Sequence, residues 1–157
     1  MPREIERKFL VVNDLWRTQN GGTLIRQGYL CASSERAVRV KIAGEQAFLT
    51  IKGPTLGITR AEFEYQIPLE DAGVILDTLA ERPLIEKRRH EVYFAGHVWE
   101  VDDFLGENAG LVVAEVELED AAAELQLPPW VGGEVSHDPR YLNANLMRQP
   151  YSSWAVP

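Results

Sequence analysis

The sequence contains little of what several common classes of protein require. Its single cysteine, Cys31, excludes an internal disulfide and a multi-cysteine zinc site, and it favours a thiol-tolerant cytoplasmic setting. No apolar run approaches the roughly 20 residues that span a bilayer, so we expect no membrane segment. The net charge of −8 argues against a nucleic-acid partner, because duplex binding depends on neutralising phosphates. A small anionic ligand stays compatible with this charge if lysine and arginine side chains gather in one cavity.

The sequence does contain a series of short segments that alternate apolar and ionisable residues, which is typical of strands with one buried face. The turn residues between them predict an antiparallel meander of eight strands, at residues 4–12, 23–31, 36–42, 47–52, 60–67, 85–94, 97–104 and 111–118. Apolar spacing and capping residues predict helices at 13–17, 70–82, 120–125 and 138–147. No linker or repeat interrupts the chain, so we interpret residues 1–157 as one domain of the α+β class, mainly antiparallel β.

The first predicted strand carries two acids and a base in register. Successive side chains of a strand point to opposite faces, so Glu4, Glu6 and Lys8 share one face while Ile5 and Phe9 lie on the other. For any single strand, a charged face turned to bulk water is a sufficient explanation. Each of the other strands also has a strongly apolar second face, and few helices are available to cover an open sheet. We therefore predict a closed eight-stranded β-barrel with helices packed outside and a charged lumen.

Such a lumen would bring together acids and bases that cannot be buried without partners. Its predicted members are Glu4, Glu6, Glu62, Glu64, Asp102, Glu115 and Glu117 with Lys8, Arg39, Lys41, Lys52, Lys87 and Arg89. Carboxylates without a nearby histidine or cysteine indicate a hard cation, Mg²⁺ or Mn²⁺. The cations are too many for one carboxylate ligand, and a polyphosphate chain would use them all.

An ordered set of motifs extends this pattern over nearly the whole chain. It runs from E-I-E-R-K at 4–8 through V-R-V-K at 38–41, T-I-K-G at 50–53, K-R-R at 87–89 and A-E-V-E-L at 114–118 to the tail G-E-V-S-H-D-P-R-Y-L-N at 133–143. In this set the chain resembles the CYTH superfamily, the triphosphate tunnel metalloenzymes. Lys41 stands where an arginine is common in that family, which keeps the charge but loses a bidentate contact to phosphate.

The resemblance implies an eight-stranded tunnel that binds a small triphosphate with Mg²⁺ or Mn²⁺. Metal ligands of the family map onto Glu4, Glu6, Glu115 and Glu117, and its phosphate-binding residues map onto Lys8, Arg39, Lys41, Lys52, Lys87 and Arg89. We interpret Glu62, Glu64 and Asp102 as supporting carboxylates that hold these cations in place.

The resemblance identifies the ligand better than the reaction. A compact chain without an evident base-binding site favours hydrolysis of inorganic triphosphate to diphosphate and phosphate. The alternatives are hydrolysis of thiamine or nucleoside triphosphates, cyclisation of ATP by a class IV-type adenylate cyclase, and binding of polyphosphate or nucleotide without turnover. For hydrolysis, Lys87 and Tyr29 are candidates for activating the water; equally, Lys87 is a phosphate ligand and Tyr29 a packed aromatic. The sequence leaves the choice between a monomer and a homodimer open.

Overall fold

A computed structural model describes residues 2–154, which form a closed eight-stranded antiparallel barrel with one additional strand. The strands are β1 (Arg3–Val11), β2 (Thr23–Ala32), β3 (Ala37–Ala43), β4 (Gln46–Lys52), β5 (Thr59–Ile67), β6 (Ile85–Phe94), β7 (His97–Phe104), β8 (Val112–Glu117) and β9 (Val131–Glu134). The helices are α1 (Leu69–Thr78) and α2 (Asn143–Arg148), with 3₁₀ turns at Gly106–Asn108, Pro139–Tyr141 and Tyr151–Ser153. The predicted fold class and eight-stranded closure are confirmed.

β1 closes the barrel by pairing along both of its edges. One edge pairs with β8 over residues 6–10, and the other pairs with β5 over residues 3–5. Beyond Ile5, which pairs with the first residue of β5, β9 occupies that second edge and pairs with Phe9 and Val11. The sheet therefore runs β1, β5, β4, β3, β2, β6, β7, β8 and back to β1. This closure brings the acidic inner faces of β1 and β8 side by side.

Apolar residues on the outer face of the barrel are covered by α1 and by the connecting segments. Ala72 and Leu76 of α1 pack on Val40 and Ala47, and all four are fully buried. The segment that follows α1 packs closely against β2. A Cβ atom added to Gly28 would lie 2.7 Å from the Leu84 side chain and 2.8 Å from that of Ala80. A second cluster on the outer face joins β1, β7 and β8 to the loop that precedes β9. No helix among residues 2–154 is both long and apolar enough to cross a membrane.

One end of the barrel interior is apolar and filled, a region that we call the plugged end. Inward side chains of the strands meet the C-terminal segment there, and the cluster comprises Tyr29, Ala37, Ile85, Phe104, Leu111, Val113, Tyr141, Leu146 and Met147. Leu146 and Met147 of α2 are buried at 0% and 3% exposure. The predicted charged lumen therefore occupies only the other part of the barrel interior.

The predicted short helices differ most from the structure. Residues 13–17 form bends and a turn, with the Leu15 N–H donating to Asn13 Oδ1 at 2.9 Å, and residues 120–125 form no helix. Five or six residues supply too few hydrogen bonds to offset the cost of nucleating a helix. The predicted helix at 138–147 is split, because Leu142 is extended between the 3₁₀ turn and α2. The prediction missed β9, a short strand with two adjacent glycines.

Candidate active site

The remainder of the barrel interior is a cavity of about 630 Å³, which we call the charged cavity. Most of the predicted site residues line it, namely Glu4, Glu6, Lys8, Tyr29, Arg39, Lys41, Lys52, Glu62, Glu64, Arg89, Glu115 and Glu117. Lys87 and Asp102 do not line it and lie behind its wall at 1% and 0% exposure. The alternation of side chains along each strand accounts for this convergence, because all the lining strand residues share the inward face.

Lys52 joins two carboxylates from different strands on one side of the charged cavity. Its Nζ lies 2.7 Å from Glu4 Oε1 and 3.3 Å from Glu62 Oε2. Burial and the neighbouring Glu62 raise the pKa of Glu4, and Lys52 opposes them only in part. Burial also acts to raise the pKa of Glu62, but its contacts with Glu4 and Lys52 outweigh burial and lower it. The two carboxyls therefore differ in basicity although they share one ammonium group.

Glu6 and Glu115 flank Lys8, and their pKa values move in opposite directions. Lys8 Nζ lies 3.5 Å from Glu115 Oε1 and 3.9 Å from Glu6 Oε1. Burial acts to raise the pKa of Glu115, but Lys8 and Arg89 outweigh it and lower that pKa well below its usual range. Burial and the charge of Glu115 raise the pKa of Glu6 to about 8. Glu6 is thus a carboxyl whose negative charge the surrounding cations do not balance.

Arg89 is the most heavily paired cation of the site. Its guanidinium binds Asp102 through two hydrogen bonds of 2.8 and 2.9 Å. It also donates to Glu100 at 3.1 Å and to Glu115 at 3.4 Å. Such a bidentate pair fixes the orientation of the guanidinium at the wall of the cavity.

Arg39 and Lys41 are left with spare positive charge. Within residues 2–154 Arg39 forms no ion pair, and its Nε is buried without a hydrogen-bond partner. Lys41 has only a distant carboxylate, with Nζ 3.9 Å from Glu64 Oε2. Burial and the adjacent Arg39 lower the pKa of Lys41. This side of the charged cavity would therefore gain most from an anion.

Lys87 lies at the boundary between the charged cavity and the plugged end. Its Nζ lies 2.7 Å from Asp102 Oδ2 and donates to Asn143 Oδ1 at 3.2 Å, and the Phe104 ring is 5.4 Å away. Burial lowers the pKa of Lys87 to about 8, because Asp102 offsets the desolvation only in part and Arg89 adds repulsion. A lysine with this pKa exchanges a proton near neutral pH far more readily than an exposed one.

The chemistry of the carboxylates fits a hard divalent cation. Within the described chain no group of three or more His, Cys, Asp or Glu side chains is already gathered as a ligand set. Glu4, Glu6, Glu115 and Glu117 nevertheless all line one cavity, and the pairing of β1 with β8 places Glu6 opposite Glu117. Burial and Glu4 raise the pKa of Glu117, as burial and Glu115 raise that of Glu6. Oxygen donors with unbalanced negative charge are what Mg²⁺ and Mn²⁺ bind.

Several lining residues were not among the predicted site residues, and three of them contact residues that were predicted. Glu100 shares the inward face of β7 with Asp102 and pairs with Arg89 at 3.1 Å, so strand alternation alone would have found it. Thr50 is fully buried between two charged strands and donates to Glu64 at 3.3 Å. Asn143 reaches the cavity from α2, and no periodicity in the sequence indicates that position.

Comparison with known proteins matches residues 2–151 to the CYTH domain family. A protein of Acetivibrio thermocellus named inorganic triphosphatase is 48% identical over 154 residues, covering 98% of this chain and 99% of its own. A protein of the same name from Nitrosomonas europaea is 36% identical, covering 91% of this chain and 95% of its own. The solved structure of an inorganic triphosphatase superposes with a TM-score of 0.62 at 34% identity, covering 94% and 95% of the two chains. A putative adenylate cyclase of Bacillus halodurans has the same TM-score at 15% identity, covering 77% and 84%, which indicates a shared fold.

Proposed function

The chain belongs to the CYTH domain family, and on that premise we propose that it hydrolyses inorganic triphosphate to diphosphate and phosphate in the charged cavity. The observation that carries the proposal is the arrangement of charge inside one cavity. Arg39 and Lys41 have positive charge to spare, while the chain's own cations do not stabilise the ionised form of Glu6. A polyanion together with a divalent cation would balance both. The two similar proteins named inorganic triphosphatase support this choice of substrate.

We assign the four carboxylates of β1 and β8 to the cation. Glu4, Glu6, Glu115 and Glu117 would hold Mg²⁺ or Mn²⁺, which when bound neutralises charge on the transferring phosphoryl group. Among them, Glu6 has the least compensation from the chain's own cations, so it gains most from the ion. Three further carboxylates hold the cations in place. Glu62 pairs with Lys52, Glu64 with Lys41, and Asp102 with both Lys87 and Arg89.

The basic residues bind the phosphate oxygens. Arg39 and the weakly paired Lys41 offer positive charge, Arg89 offers an oriented guanidinium, and Lys8 and Lys52 hold the carboxylates beside it. Catalysis of phosphoryl transfer depends mostly on such positioning and charge stabilisation. The attacking water adds to the terminal phosphorus in line with the bridging oxygen, that P–O bond breaks, and diphosphate leaves.

Lys87 and Tyr29 are proposed to activate the water. Tyr29 lines the charged cavity, and Lys87 lies behind the wall with a pKa lowered to about 8 by burial and by Arg89. A neutral Lys87 would accept the proton that the water loses as it attacks. If Lys87 serves only as a phosphate ligand, catalysis does not require its neutral form.

The lining offers little to a nucleobase. Tyr29 is the one aromatic residue among the lining residues, and it is buried, with 5% exposure. Adenylate cyclase activity and nucleoside triphosphate hydrolysis are therefore the weaker alternatives, and binding without turnover would leave the proposed metal carboxylates without a purpose. We also propose that residues 1–157 form one domain, and that the protein acts in the cytoplasm without a nucleic-acid partner.

The proposal is tested by measuring phosphate release from inorganic triphosphate, ATP and thiamine triphosphate in parallel, with Mg²⁺, with Mn²⁺ and with EDTA. We expect metal-dependent release from inorganic triphosphate, and a loss of about 100-fold or more in kcat/KM for Arg39→Ala, the usual scale for one preorganised donor. Arg88→Ala is the matched control, because Arg88 is exposed on the outward face of β6. No release from triphosphate would refute the proposal, and cyclic AMP made from ATP would assign a cyclase instead.

A further inference from the structure

Asn143 contacts Lys87 and also lines the charged cavity. Asn143 is the first residue of α2, is 9% exposed and lines the cavity, whereas Lys87 and its carboxylate partner Asp102 do not. Lys87 Nζ donates to Asn143 Oδ1 at 3.2 Å. Among the side chains that contact Lys87 directly in the described part of the chain, Asn143 is therefore the one that also lines the cavity.

The charged groups around Lys87 all come from the barrel wall. Asp102 on β7 contacts it at 2.7 Å, Arg89 on β6 repels it and Glu115 on β8 attracts it, while β2 places the uncharged Ile25 beside it. Asp102 is already bound twice by Arg89, so Lys87 shares that carboxylate. From α2 the contact is the neutral Asn143. A second carboxylate at this position would have increased the basicity of Lys87, and an apolar residue would have left its ammonium with one acceptor fewer.

The chemistry of the pair orients the carboxamide. An ammonium group has three donors and no acceptor, so the oxygen end of Asn143 must face Lys87. The Nδ2 amide group, with two N–H donors, is then the end that is left for the cavity. An amide donor at the rim of a cation-rich cavity suits an oxygen atom of an anion.

We propose that Asn143 is a positioning residue, which holds Lys87 by its Oδ1 and donates its Nδ2 hydrogens to a phosphate oxygen of the bound triphosphate. The second half of this assignment rests on the proposed function, and the first half does not. In this arrangement, the C-terminal segment does more than fill the barrel. It supplies a polar group between the buried lysine and the substrate, which neither β6 nor β7 provides.

A purely structural role for Asn143 is the competing explanation, because Leu146 and Met147 of the same helix anchor the plugged end. Asn145 gives a matched control for it. Asn145 is also an asparagine of α2 that lines the cavity, but its Nδ2 donates to the Pro139 carbonyl at 2.7 Å. Disturbing α2 as a whole would affect both positions, whereas only Asn143 touches Lys87.

The first measurement is the pKa of Lys87 by NMR on protein labelled with ¹³C at lysine Cε, assigned with a Lys87→Met variant. We expect Asn143→Asp to raise the pKa of Lys87 by an added carboxylate, and Asn143→Ala to lower it by loss of an acceptor for the charged form. Each shift should change the proton-binding constant about tenfold, and Asn145→Ala should leave it unchanged. Loosening of α2 would hydrate Lys87 and raise its pKa in all three variants, which would overturn the proposal, as would no change in either Asn143 variant.

The second measurement addresses the substrate contact. Inorganic triphosphate should shift the side-chain amide resonance of Asn143 and leave that of Asn145 in place, and the Asn143→Ala enzyme should lose about 10- to 100-fold in kcat/KM. A wild-type protein that releases no phosphate would refute the proposed function, while the NMR shifts would still decide the role of Asn143. An Asn143 amide that does not respond to saturating triphosphate would overturn the substrate contact.

Discussion

The plugged end and the charged cavity share several strands, which carry different inward residues in the two regions. β6 contributes Ile85 to the plugged end and Arg89, four residues later, to the cavity. β7 contributes Phe104 to one and Glu100 to the other. An inward face therefore does not determine whether a residue is dry or solvated. What separates the two regions is α2, which enters the barrel and covers the apolar half.

The two regions also differ in how their buried groups are stabilised. The plugged end relies on removing apolar surface from water, which needs no partner for any one side chain. The charged cavity relies on mutual pairing, and a buried charge that loses its partner is strongly unfavourable. Lys87 and Asp102 lie between the two regions. They depend on charge pairing although part of their surroundings is apolar, with Phe104 on one side and Arg89 on the other. Substitutions on the two sides of this boundary should therefore have different consequences.

The largest effect is expected from Asp102→Ala. Asp102 is fully buried and pairs with both Lys87 and Arg89, so its removal leaves two buried cations without their main partner. We expect the free energy of unfolding to fall by about 3–5 kcal/mol, the usual cost of breaking a buried pair. Urea denaturation at pH 7 would measure it, and activity should be lost as well.

Asp103→Ala is the matched control for this substitution. Asp103 is the next residue on β7, points outward and pairs with Arg17 at 3.7 Å, where the Arg17 side chain is 53% exposed. An exposed pair of this kind contributes only about 0–1 kcal/mol. Equal losses for the two aspartates would contradict the distinction between the barrel wall and its outer surface.

The next largest effect is expected from Leu146→Ala at the plugged end. Leu146 is fully buried in the cluster with Ile85 and Phe104, so the substitution leaves a cavity and should cost about 2–5 kcal/mol of unfolding free energy. Leu142→Ala, at a side chain that is 36% exposed, should cost far less. Thermal and urea denaturation would compare the two. A Leu146→Ala protein as stable as wild type would show that α2 does not cover the barrel as described.

Strand alternation was sufficient to predict the barrel and most of its charged lining. It worked because an inward face of Glu4, Glu6 and Lys8 has few alternatives once each strand also carries an apolar outer face. The same rule would have found Glu100, whose parity is that of Asp102. Alternation alone could not distinguish cavity from plug, because Ile85 of the plugged end and Arg89 of the cavity have the same parity on β6.

The C-terminal third was much less predictable. β9 pairs with the part of β1 that β5 does not cover. This free edge results from how the barrel closes, and the local sequence pattern does not indicate it. Asn143 reaches Lys87 across 56 positions of the sequence, and a neutral side chain gives no charge signal. The short helices at 13–17 and 120–125 failed for another reason, since their capping residues also favour simple turns.

The last expected change is a gain in stability instead of a loss, from Glu6→Gln in metal-free protein. Burial and Glu115 raise the pKa of Glu6 to about 8 from 4.5, so between these values the folded state holds a proton that the unfolded state has released. Wild-type stability should therefore fall as the pH rises from 4.5 to 8, and the glutamine variant should lack this fall. We expect Glu6→Gln to be more stable than wild type at pH 9 in EDTA, by about 1.4 kcal/mol for each unit by which folding raises the pKa of Glu6, with little difference at pH 5. The glutamine variant should also be stabilised less by Mg²⁺ and have lower triphosphatase activity than wild type, because the Glu6 carboxylate is a proposed ligand of the cation.

Urea denaturation at both pH values, with and without Mg²⁺, would measure these stabilities, and phosphate release would measure the activity. Identical pH profiles of stability for the two proteins would show that Lys8 balances the charge of the Glu6 carboxylate.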